Sequence, residues 1–138
     1  MTGNFASRVK DLFQLRTARL LIVEDEPELR ELFASFFTGR GYRVTVAENL
    51  EKSEACLKNE PFDLVLHDII LPDGNGIDAI PRIKALYPNL PIIVLTAMGY
   101  DEDLLRAAMR NGAAGYISKV MPLDQVLMEV HRVLRFSR

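Results

Sequence analysis

Five short apolar runs, each followed by a stretch of helical periodicity, limit what this chain can fold into more than any other feature. The runs "RLLIVED" (19–25), "YRVTVA" (42–47), "FDLVLHD" (62–68), "PIIVLTA" (91–97) and "AGYIS" (114–118) have the length and branched apolar content of strands. After the first, "PELRELFASFFTGRG" (27–41) sets Leu29, Leu32, Phe33, Phe36 and Phe37 at helical spacing. Pro27 stands in its first turn, and Gly39 and Gly41 mark its exit. "NLEKSEACLKNE" (49–60) predicts a helix with Asn49 as N-cap. "GIDAIPRIKALYP" (76–88), "DEDLLRAAMRNG" (101–112) and "PLDQVLMEVHRVLR" (122–135) supply three more. Pro81, inside the third, must either shift its start or remove a backbone hydrogen bond. Strands alternating with helices through short connections predict an α/β fold: a five-stranded parallel sheet, doubly wound, with helices on both faces. Right-handed crossovers leave few topologies for it.

At 138 residues, 49% of them hydrophobic, the chain has material for one domain with a real core, expected over 18–138. Residues 1–17 are an N-terminal extension in which Phe5, Val9, Leu12 and Phe13 would align on a helix. Such a helix could dock on the domain or pair with another copy. Cys56, the single cysteine, excludes an internal disulfide and fits a small packed side chain. No signal peptide is expected, because Arg8, Lys10 and Asp11 interrupt the first apolar pattern, and no run approaches a membrane span. A cytoplasmic protein with no membrane partner is expected. Charge is uneven: residues 20–118 hold 9 Lys/Arg against 16 Asp/Glu, while both ends are basic. A few charges on terminal helices make a solvated face, so direct nucleic-acid binding is not expected.

In a parallel α/β sheet all strands end on one edge, where ligands bind. On that edge the first strand places Glu24, Asp25 and Glu26, the third Asp68, the fourth Thr96 and Ala97, and the fifth Lys119. Two carboxylates about 4 Å apart repel by roughly 4 kcal/mol at an effective dielectric of 20. Either some protonate or a divalent cation joins them, and oxygen-only ligands with room for water favour Mg²⁺ over zinc. An aspartate facing a lysine, a hydroxyl and a metal can accept a phosphoryl group as an acyl phosphate. A plainer arrangement fits the same residues, with Asp25 and Lys119 as an ordinary ion pair and Thr96 as a strand-end turn.

Four motifs in order, each at its own strand end, give the chain a resemblance: "VED" (23–25), "DIILPDGNG" (68–76), "LTA" (95–97) and "GYISK" (115–119). Over about residues 18–136 it resembles the receiver domain of bacterial two-component response regulators. The resemblance implies a flavodoxin-like strand order, 2-1-3-4-5. It implies that Asp68 accepts a phosphoryl group from a phosphohistidine on a sensor histidine kinase or a phosphotransfer protein. Asp25, Asp68 and the Ile70 carbonyl would bind Mg²⁺ directly, and Glu24 through water. Lys119, the Thr96 hydroxyl and the Ala97 N–H would hold phosphoryl oxygens. Thr96 and Tyr116 would then switch the face of the fourth helix, fifth strand and fifth helix, to regulate a partner, an output domain or a homodimer. Such a switch phosphorylates and dephosphorylates itself and turns over no separate substrate.

Departures from the family's pattern are specific. Glu24 stands where an aspartate is common, a longer arm that should still reach a water. Val120 and Met121 separate Lys119 from Pro122, so the lysine-proline cis bond of many members cannot form. His67 should point away from Asp68 by strand alternation, as a packed histidine with one hydrogen bond. Ile70 and Met98, two residues beyond Asp68 and Thr96, are expected to slow water's attack on the acyl phosphate. Other classes fit less well. A flavin site needs N–H donors in the first loop, where Glu24-Asp25-Glu26-Pro27 repels phosphate. A haloacid-type phosphatase expects a carboxylate where Ile70 stands. A receiver that binds partners without phosphorylation would not need Asp68, Thr96 and Lys119 together. The 138 residues read equally as a stand-alone regulator or as a fragment of a larger regulator or hybrid kinase.

Overall fold

A computed structural model describes residues 17–97 and 99–136. The sheet consists of β1 (Arg19–Val23), β2 (Arg43–Ala47), β3 (Leu64–Asp68), β6 (Ile92–Thr96) and β7 (Gly115–Ser118). They lie in the order β2-β1-β3-β6-β7, with every pair parallel. Numbered by sheet strand alone, this is the expected 2-1-3-4-5. Between them run α1 (Pro27–Thr38), α2 (Leu50–Asn59), α3 (Gly76–Leu86) and α4 (Glu102–Arg110), and α5 (Leu123–Phe136) closes the domain. The strands that matter most for the site are the most buried. Every residue of β3 and β6 is shielded from solvent, whereas the edge strand β2 is mostly open.

Alternation along the strands divides the core in two. Leu20, Ile22, Leu64, Leu66, Ile93 and Leu95 face α1 and α5, meeting Phe33, Phe37, Val126 and Val130. Leu21, Val23, Val65, Ile92 and Val94 face the other way, toward Leu57, Ile80, Ile83 and Ala108 of α2, α3 and α4. Burying a Leu, Ile, Val or Phe side chain contributes roughly 1.5–3 kcal/mol, so both helical layers are bound to the sheet by many such contacts. Cys56 packs against the second cluster, as a small apolar side chain would.

The helix ends follow local chemistry. Asn49 caps α2 by accepting from the Lys52 N–H at 2.8 Å, and Asp101 caps α4 through the Leu104 N–H. Asn75 caps α3 through Ile77 at 2.8 Å and Asp78 at 3.4 Å. Gly41 and Gly112, just past α1 and α4, have φ of 92° and 105°, a region costly for other residues. Pro81 stays inside α3, so the helix keeps its start and forgoes the bond that an N–H there would have donated.

One element was not expected. The Pro-Asp-Gly-Asn-Gly turn carries a small antiparallel hairpin, β4 (Ile70–Leu71) with β5 (Gly74–Asn75). Two-residue strands have no periodicity to read. Residues 1–16 of the extension, and with them the expected helix over Phe5 to Phe13, lie outside the described residues, as does Met98.

Gly76 opens α3 directly against the end of β3. A Cβ there would lie 2.0 Å from the Asp68 carbonyl oxygen and 2.7 Å from His67 Nδ1, both fixed by a buried strand. Gly76→Ala should therefore destabilise the domain by about 2 kcal/mol or more, read as a lower urea midpoint with an unchanged slope. An unaltered midpoint would show that the β3–α3 junction yields freely.

Candidate functional site

Two backbone hydrogen bonds extend the sheet ladder one residue beyond the strands and so place two of the charged residues. The Glu24 N–H donates to the Ala47 carbonyl at 3.0 Å, and the Lys119 N–H donates to the Thr96 carbonyl at 2.8 Å. Asp68 needs no extension, being the last residue of β3, paired with Leu95. The loop after β1 is drawn in by Arg30 of α1, whose Nη1 donates to the carbonyls of Glu24 at 3.0 Å and Asp25 at 3.2 Å. Glu26 N–H in turn donates to Glu24 Oε2 at 3.1 Å.

The side chains converge on Lys119. Its Nζ donates to Asp68 Oδ2 at 2.8 Å and stands 2.6 Å from Glu24 Oε1. The second contact is a buried ion pair. All three side chains are nearly shut off from solvent: 8% exposed for Lys119, 5% for Asp68 and none for Glu24. The plainer Asp25–Lys119 pair is not what forms, since the lysine's partners are Glu24 and Asp68. Oxygens of Glu24, Asp25 and Asp68 lie within 4.8 Å of one another, an all-carboxylate group of the kind that can hold a metal ion. Hard oxygen donors suit Mg²⁺ or Ca²⁺ rather than zinc or copper.

Three carboxylates meet one buried ammonium at this edge, and Glu24 is the most deeply buried of the four groups. Burial, aided by the charge of Asp68, pushes its carboxyl up to about 7, against the opposing pull of Lys119 and the Glu26 N–H. For Lys119, burial alone would lower the pKa. Hydrogen bonds and charge from Asp68 and Glu24 more than reverse that, so the ammonium titrates above its ordinary value.

The remaining predicted residues are placed as follows. Thr96 ends β6 with its side chain buried, opposite Ser118 of β7, and Ala97 follows on the exposed rim. Tyr116 of β7 pairs with Val94 and packs, half-buried, against the α2–α4 side of the core. Its hydroxyl is buried without a hydrogen-bond partner. Ile70 lies in β4 with 74% of its surface exposed. His67 turns to the opposite face from Asp68, fully buried, with Nδ1 2.8 Å from the Asp68 carbonyl oxygen. A carbonyl can only accept, so Nδ1 carries the proton and Nε2 is a buried lone pair without a partner. Burial lowers the His67 pKa and keeps the ring neutral. This is the packed histidine expected from alternation.

Arg30 and Asp73 were not singled out from the sequence. The Asp73 carboxylate, on the β4–β5 turn, accepts from the backbone N–H of Leu50 at 2.9 Å and Glu51 at 3.0 Å, at the start of α2. A helix arginine and a turn aspartate carry no sequence signal that separates them from solvated neighbours.

The raised Glu24 pKa has a testable sign. The folded protein holds that proton between pH ~4.5 and about 7 while the unfolded chain loses it, so this group's contribution to stability falls as pH rises through that window. His67 acts oppositely, because its lowered pKa costs stability as pH falls through its unfolded value of about 6.5. The difference between wild type and Glu24→Gln removes the His67 contribution. In EDTA, urea unfolding should show Glu24→Gln gaining on wild type from pH 5 to about pH 7 and levelling off above it. A constant difference would mean that the Lys119 contact offsets the burial of the charge completely.

The family model for the response regulator receiver domain matches residues 20–131. Among curated relatives, the phosphate regulon transcriptional regulatory protein PhoB of Escherichia coli K12 is 34% identical over 120 residues, covering 85% of this chain and 52% of PhoB. The chain spans 26% to 52% of the length of the first curated relatives it matches. A CheY-like receiver domain protein from Methanospirillum hungatei superposes with a TM-score of 0.82 at 27% identity, covering 87% of this chain and 95% of that one. Response regulator TrrA from Thermotoga maritima, solved in complex with Mg²⁺ and BeF, does so with a TM-score of 0.75 at 29% identity, covering 84% and 98%. With the family model spanning most of the chain and the fold matching over 87% of it, the chain belongs to the receiver domains of two-component response regulators.

Proposed function

We propose that the domain, over residues 18–138, is a phosphorylation-driven switch in which Asp68 takes a phosphoryl group from a phosphohistidine of a sensor kinase or phosphotransfer protein. The observation that carries this reading is the buried meeting of Asp68 and Lys119 at 2.8 Å beside two further carboxylates. An Asp68 oxygen attacks phosphorus, the bond from phosphorus to the donor's imidazole nitrogen breaks, and the imidazole leaves with a proton from solvent. Lys119 is then released from Asp68 to meet the incoming phosphoryl oxygens, and the Thr96 hydroxyl and Ala97 N–H complete their shell. Asp25, Asp68 and the Ile70 carbonyl would hold Mg²⁺ directly, with Glu24 acting through water. The carboxylate group and its excess charge fit such a cation, and the Mg²⁺–BeF complex of TrrA supports the choice. Bound there, Mg²⁺ would neutralise the charge between an anionic nucleophile and an anionic donor.

The switch itself would run through Thr96 and Tyr116. A buried hydroxyl without a partner costs about 1–3 kcal/mol, which brings the observed Tyr116 rotamer closer in energy to an alternative one. Movement of Thr96 toward the phosphoryl group would tip that balance and reshape the face of α4, β7 and α5, where Met109 and Met128 are exposed. The reader of that face would be an output domain, a protein partner or a second copy of the chain. Residues 1–17 form an extension outside the switch and offer a second route to pairing.

Intact mass after incubation with acetyl phosphate and Mg²⁺ tests the proposal. Wild type should gain one phosphoryl group, EDTA should prevent it, and Asp68→Asn should gain none. Labelling of Asp68→Asn to the wild-type extent would sink the assignment of the acceptor. Ile70, exposed two residues beyond Asp68, is expected to impede water's approach to the acyl phosphate. Ile70→Asn should shorten the phosphorylated lifetime several-fold in a phosphate-release assay, and an equal lifetime would remove that role.

A further inference from the structure

The hairpin that follows Asp68 is fastened to a different helix from the one it leads into. Its turn residue Asp73 accepts from the backbone N–H of Leu50 at 2.9 Å and of Glu51 at 3.0 Å, a link across 23 and 22 residues of sequence. Asn49 takes the Lys52 N–H, so three of the donors at the start of α2 are met, two of them by Asp73. Those bonds hold the Asp73 carboxyl below its ordinary value, as expected of a carboxylate bound to helix N–H groups. Beside them Leu50 closes over Gly74, where a Cβ would lie only 2.7 Å from Leu50 Cδ1. The hairpin also carries Ile70, paired with Asn75, which caps α3. Ile70 is therefore held between two helix starts, with Asp73 the polar link to α2.

From this juxtaposition we infer that Asp73 is a positioning residue for the metal site: it anchors the β4–β5 hairpin to α2 so that the Ile70 carbonyl stays where Mg²⁺ needs it. The inference rests on the proposed role of that carbonyl. Asp73 itself touches neither metal nor phosphoryl group. Its effect is to remove the freedom of a two-residue strand pair that is otherwise marginal in water. Because coupling between two sites is reciprocal, metal at Ile70 must also steady the first turn of α2.

Calorimetric titration of the full chain with Mg²⁺ at 0.3 M KCl reads the coupling, the salt screening the plain attraction of one more carboxylate. Asp73→Ala should weaken Mg²⁺ binding about fivefold. Asp73→Asn, which keeps one of the two acceptor oxygens and lacks the charge, should recover part of it. Hydrogen exchange on wild type supplies a readout independent of any variant's folding, and Mg²⁺ should slow exchange at the Leu50 and Glu51 amides. If Asp73→Ala binds Mg²⁺ as wild type does, or Asn and Ala weaken it equally, the anchoring role is overturned and the metal site stands. Unchanged exchange at Leu50 and Glu51 overturns it as well. Wild type that takes up no Mg²⁺ overturns the metal site and this inference together, a result distinct from the others.

Discussion

One buried ammonium organises the charged edge of this domain. Lys119 sits between Asp68 at 2.8 Å and Glu24 at 2.6 Å, and all three are nearly closed to water. An uncompensated charge in such a place costs several kcal/mol, so neither carboxylate could be buried there ionised without it. Yet one cation cannot balance Glu24, Asp25 and Asp68 together. Burial, with a smaller contribution from the charge of Asp68, raises the Glu24 carboxyl to about 7. Three carboxylates whose oxygens lie within 4.8 Å of one another are the physical basis on which a divalent cation is proposed there.

The geometry of that pocket is inherited from the sheet. Asp68 is the final residue of a fully buried strand, and Glu24 and Lys119 are held by one further rung on either side of it. Strand alternation then separates neighbours by function. Asp68 faces the lysine, while His67 turns under the start of α3 and holds the Asp68 carbonyl from behind. Gly76 is tied to the same spot, because any side chain there would collide with that carbonyl. The Asp68 carboxylate therefore stands at the strand end on a backbone fixed by its neighbours.

How much of this the sequence disclosed follows from which forces set each part. Strands β3 and β6 were legible because burial on both faces writes continuous apolar runs, and α1, α2, α4 and α5 because Pro, Asn or Gly marks an end of each. The convergence of Glu24, Asp25, Asp68, Thr96 and Lys119 followed from parallel topology alone. What could not be read depends on side-chain direction. Glu24 lies fully buried against the lysine, a contact that its place at the strand end does not specify. Arg30 binds loop carbonyls and Asp73 binds helix N–H groups, contacts to backbone that no pattern of residue types announces. The β4–β5 hairpin was missed for the same reason, being set by caps at its two ends and not by apolar periodicity.

Tyr116 links this chemistry to the rest of the surface by a short route. It pairs with Val94 in the ladder of β6 and β7, two rungs from the pair of Thr96 and Ser118 at the reactive end. The same ladder continues through the Lys119 N–H to the Thr96 carbonyl. Thr96, Lys119 and Tyr116 thus belong to one pair of strands, and in the proposed switch a phosphoryl group on Asp68 would act on the first two directly. The third has a buried hydroxyl without a hydrogen-bond partner. A strand pair that is firm at its backbone and unsatisfied at one side chain is suited to a local change of rotamer that leaves the fold intact. That division is what the proposed switch would need if it is to be thrown by a single labile group and return afterwards to the same structure.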